Sequence, residues 1–148
     1  MSTVTDISLY NCSIITDEII IFIAQHFPNL THLEIGWCSK LTGVSIEALV
    51  KHSPQLEALY AQYCNIEHLP EDIGVRLKHL KHLDLPNNKI RIFPQSIALL
   101  QLDYFSCINN PIQQPPYGIA VEGPRSMLQF WEQANKGSII SNVQKAVL

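Results

Sequence analysis

The side chains in this chain with the widest chemical reach are four cysteines, six histidines, two tryptophans and five tyrosines. Cys12, Cys38 and Cys64 stand 26 residues apart and Cys107 follows 43 residues later, whereas zinc sites draw ligands from pairs two to four residues apart. Regular spacing of that length reads instead as buried structural thiols, which behave as small hydrophobes. His82 and Asp84 are two residues apart, so on a strand they share a face and could form a hydrogen-bonded histidine–carboxylate pair. His32 occupies the matching place two repeats earlier, about 10 Å away at sheet spacing, too far to share a metal with His82. No hydroxyl or thiol nucleophile adjoins the pair and no glycine-rich phosphate loop occurs. Catalytic residues, metal ligands and cofactors are therefore assigned as none, with a cryptic hydrolase kept only as a remote alternative.

The cysteines belong to a longer pattern. Five segments, starting at Val4, Leu30, Leu56, Leu80 and Leu102, overlay on the template L-x-x-L-x-L-x-x-(N/C)-x-L. Their ninth places are Cys12, Cys38, Cys64, Asn88 and Asn110, separated by 26, 26, 24 and 22 residues. Such a period marks a leucine-rich repeat, and the chain resembles that family over almost its whole length. The first, fourth and sixth places of each repeat alternate on a strand and point inward, from Val4, Ile7 and Leu9 in the first to Leu102, Phe105 and Cys107 in the last. The ninth place needs a side chain able to pair main-chain groups where the strand ends. Asparagine donates and accepts there; cysteine does so only weakly.

Between the early repeats, IITDEIIIFIAQHFP and LTGVSIEALVKHSP are apolar at helical spacing and close on Pro28 and Pro54, which predicts helices. The later HLPEDIG and IFPQSIA predict a single helical or 3₁₀ turn. The early repeats resemble the cysteine-containing repeats of F-box substrate receptors, and the later ones those of Roco proteins and Ras-pathway scaffolds. The closing segment NPIQQPPYGIAVEGPRSMLQFWEQA resembles the ends of those scaffolds, with a helix expected from Pro124 whose Met127, Leu128, Trp131 and Ala134 cover the last coil. Residues 137–148 carry Ile139, Val143 and Val147 at four-residue steps and are left as either a short amphipathic helix or a loose tail.

These readings converge on an α/β leucine-rich repeat solenoid, a right-handed superhelix with a short parallel sheet on its concave face. It is read as one domain over 1–148, with a capping segment at 111–136. The resemblance implies a non-enzymatic adaptor or scaffold. The outward places nominate the partner-binding residues: Trp37, Tyr60 and Tyr63 as anchors, Tyr10 and Tyr104 to either side, and Glu34, Asp84, His32 and His82 among them. Aromatic side chains dominate interface energetics because they bury large areas while keeping a polar handle. Asp6, Glu34, Glu57, Asp84 and Asp103 face a single Lys81, which matches a protein partner bearing a basic patch.

At 148 residues, 47% hydrophobic and 16% charged, the composition is that of a globular chain. Net charge is −3 and RLKHLKH at 76–82 is the dense basic run, which argues against nucleic acid. The apolar run from Ile19 to Ala24 is too short to span a membrane, and the N-terminus carries no secretory pattern, so a cytosolic protein is expected. Host cytosol is the setting if the chain is instead a bacterial effector that mimics eukaryotic repeat adaptors. The first strand leaves an open sheet edge, which makes a homodimer the alternative to the expected monomer.

Overall fold

The computed structural model describes the backbone of residues 2–147 and the side chains of residues 2–136. Five three-residue strands, β1 (Asp6–Ser8), β2 (His32–Glu34), β3 (Ala58–Tyr60), β4 (His82–Asp84) and β5 (Tyr104–Ser106), pair in chain order as one parallel sheet. The register aligns Ile7, Leu33, Leu59, Leu83 and Phe105, so one apolar row runs beneath the sheet. With mixed helix and strand recurring in this order, the architecture is an α/β repeat fold.

Burial follows position in the stack. In the three middle coils every inward place, Leu30, Leu33, Ile35, Leu56, Leu59, Ala61, Leu80, Leu83 and Leu85, is at most 1% exposed. At about 1.5–3 kcal/mol for each large aliphatic side chain, this row supplies much of the drive to fold. The end coils depart from the sequence expectation. Val4 is 38% exposed, and Ile7, Leu9, Leu102 and Phe105 are only half-buried, because β1 and β5 are the sheet's edges and each has a strand on one side only.

The returns to the next strand shorten along the chain. Helices α1 (Asp17–His26) and α2 (Gly43–His52) end at Phe27 and Ser53, each one residue before a proline, where the ring imposes an extended conformation on the residue before it. Thereafter come one turn, α3 (Ile73–Arg76), and a 3₁₀ turn over Gln95–Leu99. A short helix absent from the sequence reading, α4 (Tyr117–Ala120), precedes α5 (Pro124–Val147). Along α5 the packed face is narrower than the spacing predicts. Met127 is fully buried and Trp131 packs against the core, but Leu128 is 40% exposed and Ala134 is exposed as well. The backbone continues as helix to Val147, while the side chains of Ile139, Val143 and Val147 lie outside the described residues.

The start of α2 is held by its neighbours on both sides. From the preceding coil, Asp17 accepts from the Thr42 N–H at 2.9 Å, the Thr42 hydroxyl at 2.7 Å and the Ser45 hydroxyl at 2.6 Å. Burial raises the Asp17 pKa, yet these hydrogen bonds outweigh it and hold the carboxyl below its ordinary value. From the following coil, Glu67 accepts from the Gly43 N–H at 3.1 Å. His68 bridges the two layers, 2.8 Å from Glu47 and 2.7 Å from Glu67, and the bond to Glu47 is the main cause of its raised pKa.

A histidine raised in the folded state stabilises fully below its unfolded pKa, ordinarily 6.5, and that contribution is lost as pH rises through the folded value. His68→Gln is therefore expected to lower the melting temperature more at pH 6 than at pH 9. Melts of both proteins at the two pH values check this, and a gap that is constant or widens with pH refutes it.

Candidate functional site

The eighth repeat place controls what the sheet displays. Asn11, Trp37, Tyr63, Asn87 and Asn109 all adopt positive φ, between 54° and 63°. There the chain turns off the strand, and the left-handed twist swings the ninth residue inward. Ladder bonds pin the turn: the N–H groups of Asn11, Trp37, Tyr63 and Asn87 donate to Gly36 O, Gln62 O, Pro86 O and Ile108 O at 2.8–3.0 Å. Asparagine tolerates this conformation and bulky residues do not; the left-handed region costs an L-residue roughly 1–2 kcal/mol. Two coils nevertheless place Trp37 and Tyr63 there.

The two rings stack on each other, with centroids 3.8 Å apart and planes 13° from parallel. Aromatic pairing contributes about 0.5–1.5 kcal/mol beyond burial, less than the conformational cost of two such residues. Both remain open to solvent, Trp37 at 43% and Tyr63 at 41%. Beside the pair, Gly36 leaves room for the Gln62 side chain, because a Cβ there would fall 2.5 Å from Gln62 Nε2.

The remaining nominated residues form a second group. Register places the third-place residues Asp6, His32, Ala58, His82 and Tyr104 in one row and the fifth-place residues Ser8, Glu34, Tyr60, Asp84 and Ser106 in the next. His82 lies between Tyr60 and Tyr104, with centroids 6.5 Å from each. The five-aromatic cluster expected from sequence is thus two assemblies, a stacked pair at the strand exits and a spaced row on the strands. Tyr10 is 52% exposed and has no ring contact among the described residues. The His82–Asp84 pair does not form either: Asp84 Oδ1 accepts from the Tyr104 hydroxyl at 3.3 Å. His32 instead meets the Thr31 hydroxyl at 2.8 Å and approaches Asp6 at 3.7 Å.

Glu34 and Asp84 flank Tyr60 in register. Burial raises the pKa of each; the Gly36 N–H at 2.7 Å opposes the rise at Glu34, where the Asp84 charge adds to it, and the Tyr104 hydroxyl opposes it at Asp84. No lysine or arginine pairs with either among the described residues. Between β1 and β3 a depression of ≈ 240 Å³ is bordered by Asp6, His32, Glu34 and Tyr60.

The thiols bond across coils. Cys38 donates to Leu9 O at 3.0 Å and Cys64 to Ile35 O at 3.2 Å. Cys38 and Cys107 are fully buried, whereas Cys12 and Cys64 are only partly covered. Burial pushes the Cys64 and Cys107 pKa values up to about 12, which leaves almost no thiolate at neutral pH. Both are poor nucleophiles for that reason.

Five strands with left-handed exits, joined by four helical returns, define an α/β repeat protein with aromatic and acidic side chains on the outer face of its sheet. Comparison with known proteins gives the family context. A profile described as Leucine Rich Repeat matches residues 79–100. The chain is similar to Plant intracellular Ras-group-related LRR protein 4 of Oryza sativa subsp. japonica, at 34% identity over 84 residues, which is 56% of this chain and 14% of that protein. The chain therefore spans about one seventh of that relative's length. No solved structure gives a significant match. The two sequence matches support a leucine-rich repeat family, whose repeats generally mediate protein–protein interaction; neither match bears on the F-box-like or Roco-like features. No helix among the described residues is long and apolar enough to cross a membrane.

Proposed function

We propose that this chain is a non-enzymatic adaptor or scaffold module in which the coils form a solenoid and the sheet is its concave, partner-binding face. The observation that carries the reading is the Trp37–Tyr63 stack at positive φ. Folding alone favours asparagine at that place, as in three of the five coils. Backbone strain of this kind concentrates where a surface is selected for recognition. Around the stack, Tyr60, Tyr104, His82 and His32 supply further contact area, with Tyr10 at the rim. Glu34 and Asp84, partly desolvated and without a cation, suit a protein partner that brings lysine or arginine to the Tyr60 ring. The segment from residue 111 to 136 acts as a cap, and the module works as a monomer.

The test replaces both rings with the residue the other coils use. Trp37→Asn with Tyr63→Asn is expected to leave the circular dichroism spectrum unchanged and the melting temperature equal or higher. Loss of two central aromatic anchors should weaken partner binding about thirtyfold or more. Wild-type and double-variant baits, compared by affinity purification from cytosol and quantitative mass spectrometry, give the readout. Equal recovery of every specific partner by both baits overturns the assignment.

A further inference from the structure

The fold divides the dense basic run at 76–82, and most of it lies away from the sheet face. Leu77 and Leu80 turn into the core, at 0% and 1% exposure. Lys81 and His82 go to the strand side, while Arg76 at the end of α3 and Lys78 and His79 on the return to β4 are exposed. There they border a groove of ≈ 620 Å³ whose opposite wall is the end of α2, with Lys51, and the Pro54-Gln55 turn. Val75, 50% exposed, supplies an apolar surface between the walls. A second hollow continues the groove toward Glu47 and Pro70, sharing Val50, Lys51, Asp72 and Arg76 with the first.

The cations there are not demanded by the repeat. The two places before each coil's first leucine are Pro28-Asn29, Pro54-Gln55, Lys78-His79 and Leu100-Gln101. Only one coil places basic residues at them, and it is the coil that faces Lys51. Two acids line the groove and its continuation, Asp72, which Arg76 holds at 2.6 Å, and Glu47, which His68 meets at 2.8 Å. Lys51 and Lys78 have no acidic partner among the described residues. The groove is thus locally positive on a chain of net charge −3, and opposite in sign to the sheet face.

We propose that this groove is a second docking site, and that its occupant is an acidic peptide segment of a protein partner. Charge complementarity selects the sign of the ligand. The extent selects a peptide: the lysines come from different coils, Lys51 on α2 and Lys78 on the return to β4, exposed Val75 lines the same groove, and an adjoining hollow lengthens it toward Glu47 and Pro70. An extended chain can set carboxylates against Lys51 and Lys78 while an aliphatic side chain covers Val75. With a basic partner on the sheet, the module holds two proteins of opposite charge at once.

The test uses a fluorescein-labelled decapeptide of glutamates and aspartates around a central leucine, read by fluorescence anisotropy against the full chain. Saturable binding that weakens with added salt is expected, with none for the matching glutamine and asparagine peptide. Lys51→Glu with Lys78→Glu should weaken it about tenfold or more, while Trp37→Asn with Tyr63→Asn leaves it unchanged, which separates this site from the sheet face. Absence of binding, or binding indifferent to the charge reversal, overturns the proposal. So does displacement of the peptide by equimolar inorganic phosphate, or capture by anionic phosphatidylserine vesicles when the peptide does not bind.

Discussion

Asn88→Leu is expected to remove most of the protein's stability. Asn88 is 3% exposed, and its Nδ2 donates to Ala61 O at 2.8 Å and Leu85 O at 3.0 Å while its Oδ1 accepts from the Ile66 N–H at 3.0 Å. Leu85 O keeps a second donor, Asn110 Nδ2 at 2.9 Å, so the substitution orphans two groups, Ala61 O and the Ile66 N–H. Each buried unpaired group costs about 1–3 kcal/mol, and the sum is a large part of the roughly 5–15 kcal/mol that stabilises a domain. Urea denaturation followed by circular dichroism measures the loss; a drop below about 1 kcal/mol would show that water serves the site. Asn88→Cys provides the graded case. A thiol can donate to Ala61 O, as Cys64 donates to Ile35 O at 3.2 Å, but offers the Ile66 N–H only a weak acceptor. Its cost should fall between those of wild type and Asn88→Leu.

The same geometry explains why the ninth place changes type along the chain. Asn88 and Asn110 accept from Ile66 and Ile90, both fully buried in the preceding coil. In the coils before Cys38 and Cys64 the matching buried residues are Ile15 and Leu41, one place later along the chain, and their N–H groups donate to Cys12 O and Cys38 O at 3.1 Å. Those amides are already paired within their own coils, so a donor-only thiol suffices at the next ninth place. Coils with the extra residue and a long helix are thus followed by a ninth-place cysteine, Cys38 and Cys64, and coils without them by an asparagine, Asn88 and Asn110.

Repeat spacing makes the sheet, its register and the kinds of return legible in the sequence, because each depends on local apolar periodicity repeated along the chain. Burial at the two ends was not legible, since Val4 satisfies the template as well as Leu30 does and differs only in lacking a neighbour on one side. Within the candidate site, the Trp37–Tyr63 juxtaposition could be read from their shared place in adjoining coils. Their backbone strain was missed, although asparagine at positions 11, 87 and 109 carried the signal of a left-handed residue. Splitting of the aromatic cluster follows from places three and five lying on the strand while place eight lies beyond it. The Asp17, Glu67 and His68 contacts around α2 had no sequence signature, because they join different coils through side chains outside the repeat template.

Gly74→Ala should be the most damaging alanine substitution among the described glycines. Gly74 is buried in α3, which packs on the 3₁₀ turn over Gln95–Leu99. A Cβ at position 74 would stand 1.6 Å from the Ser96 carbonyl oxygen and 2.5 Å from its carbon. Both are main-chain atoms, so no rotamer change relieves the clash. The Gly74 N–H also donates to Ser96 Oγ at 3.0 Å, and separating the two segments loses that bond as well. Overpacking ordinarily costs about 1–3 kcal/mol; a main-chain collision belongs at or above the upper end. In a repeat array such a cost falls on one interface between neighbours, here the one between the third and fourth coils, which also joins Tyr60 to His82. Gly118→Ala is the matched control, since nothing lies within 4 Å of a Cβ there and alanine is the better helix former by up to about 1 kcal/mol. Urea midpoints should fall sharply for Gly74→Ala and hold or rise for Gly118→Ala. Equal midpoints for the two variants would mean that the third and fourth coils are not packed as tightly as the Gly74–Ser96 contact requires.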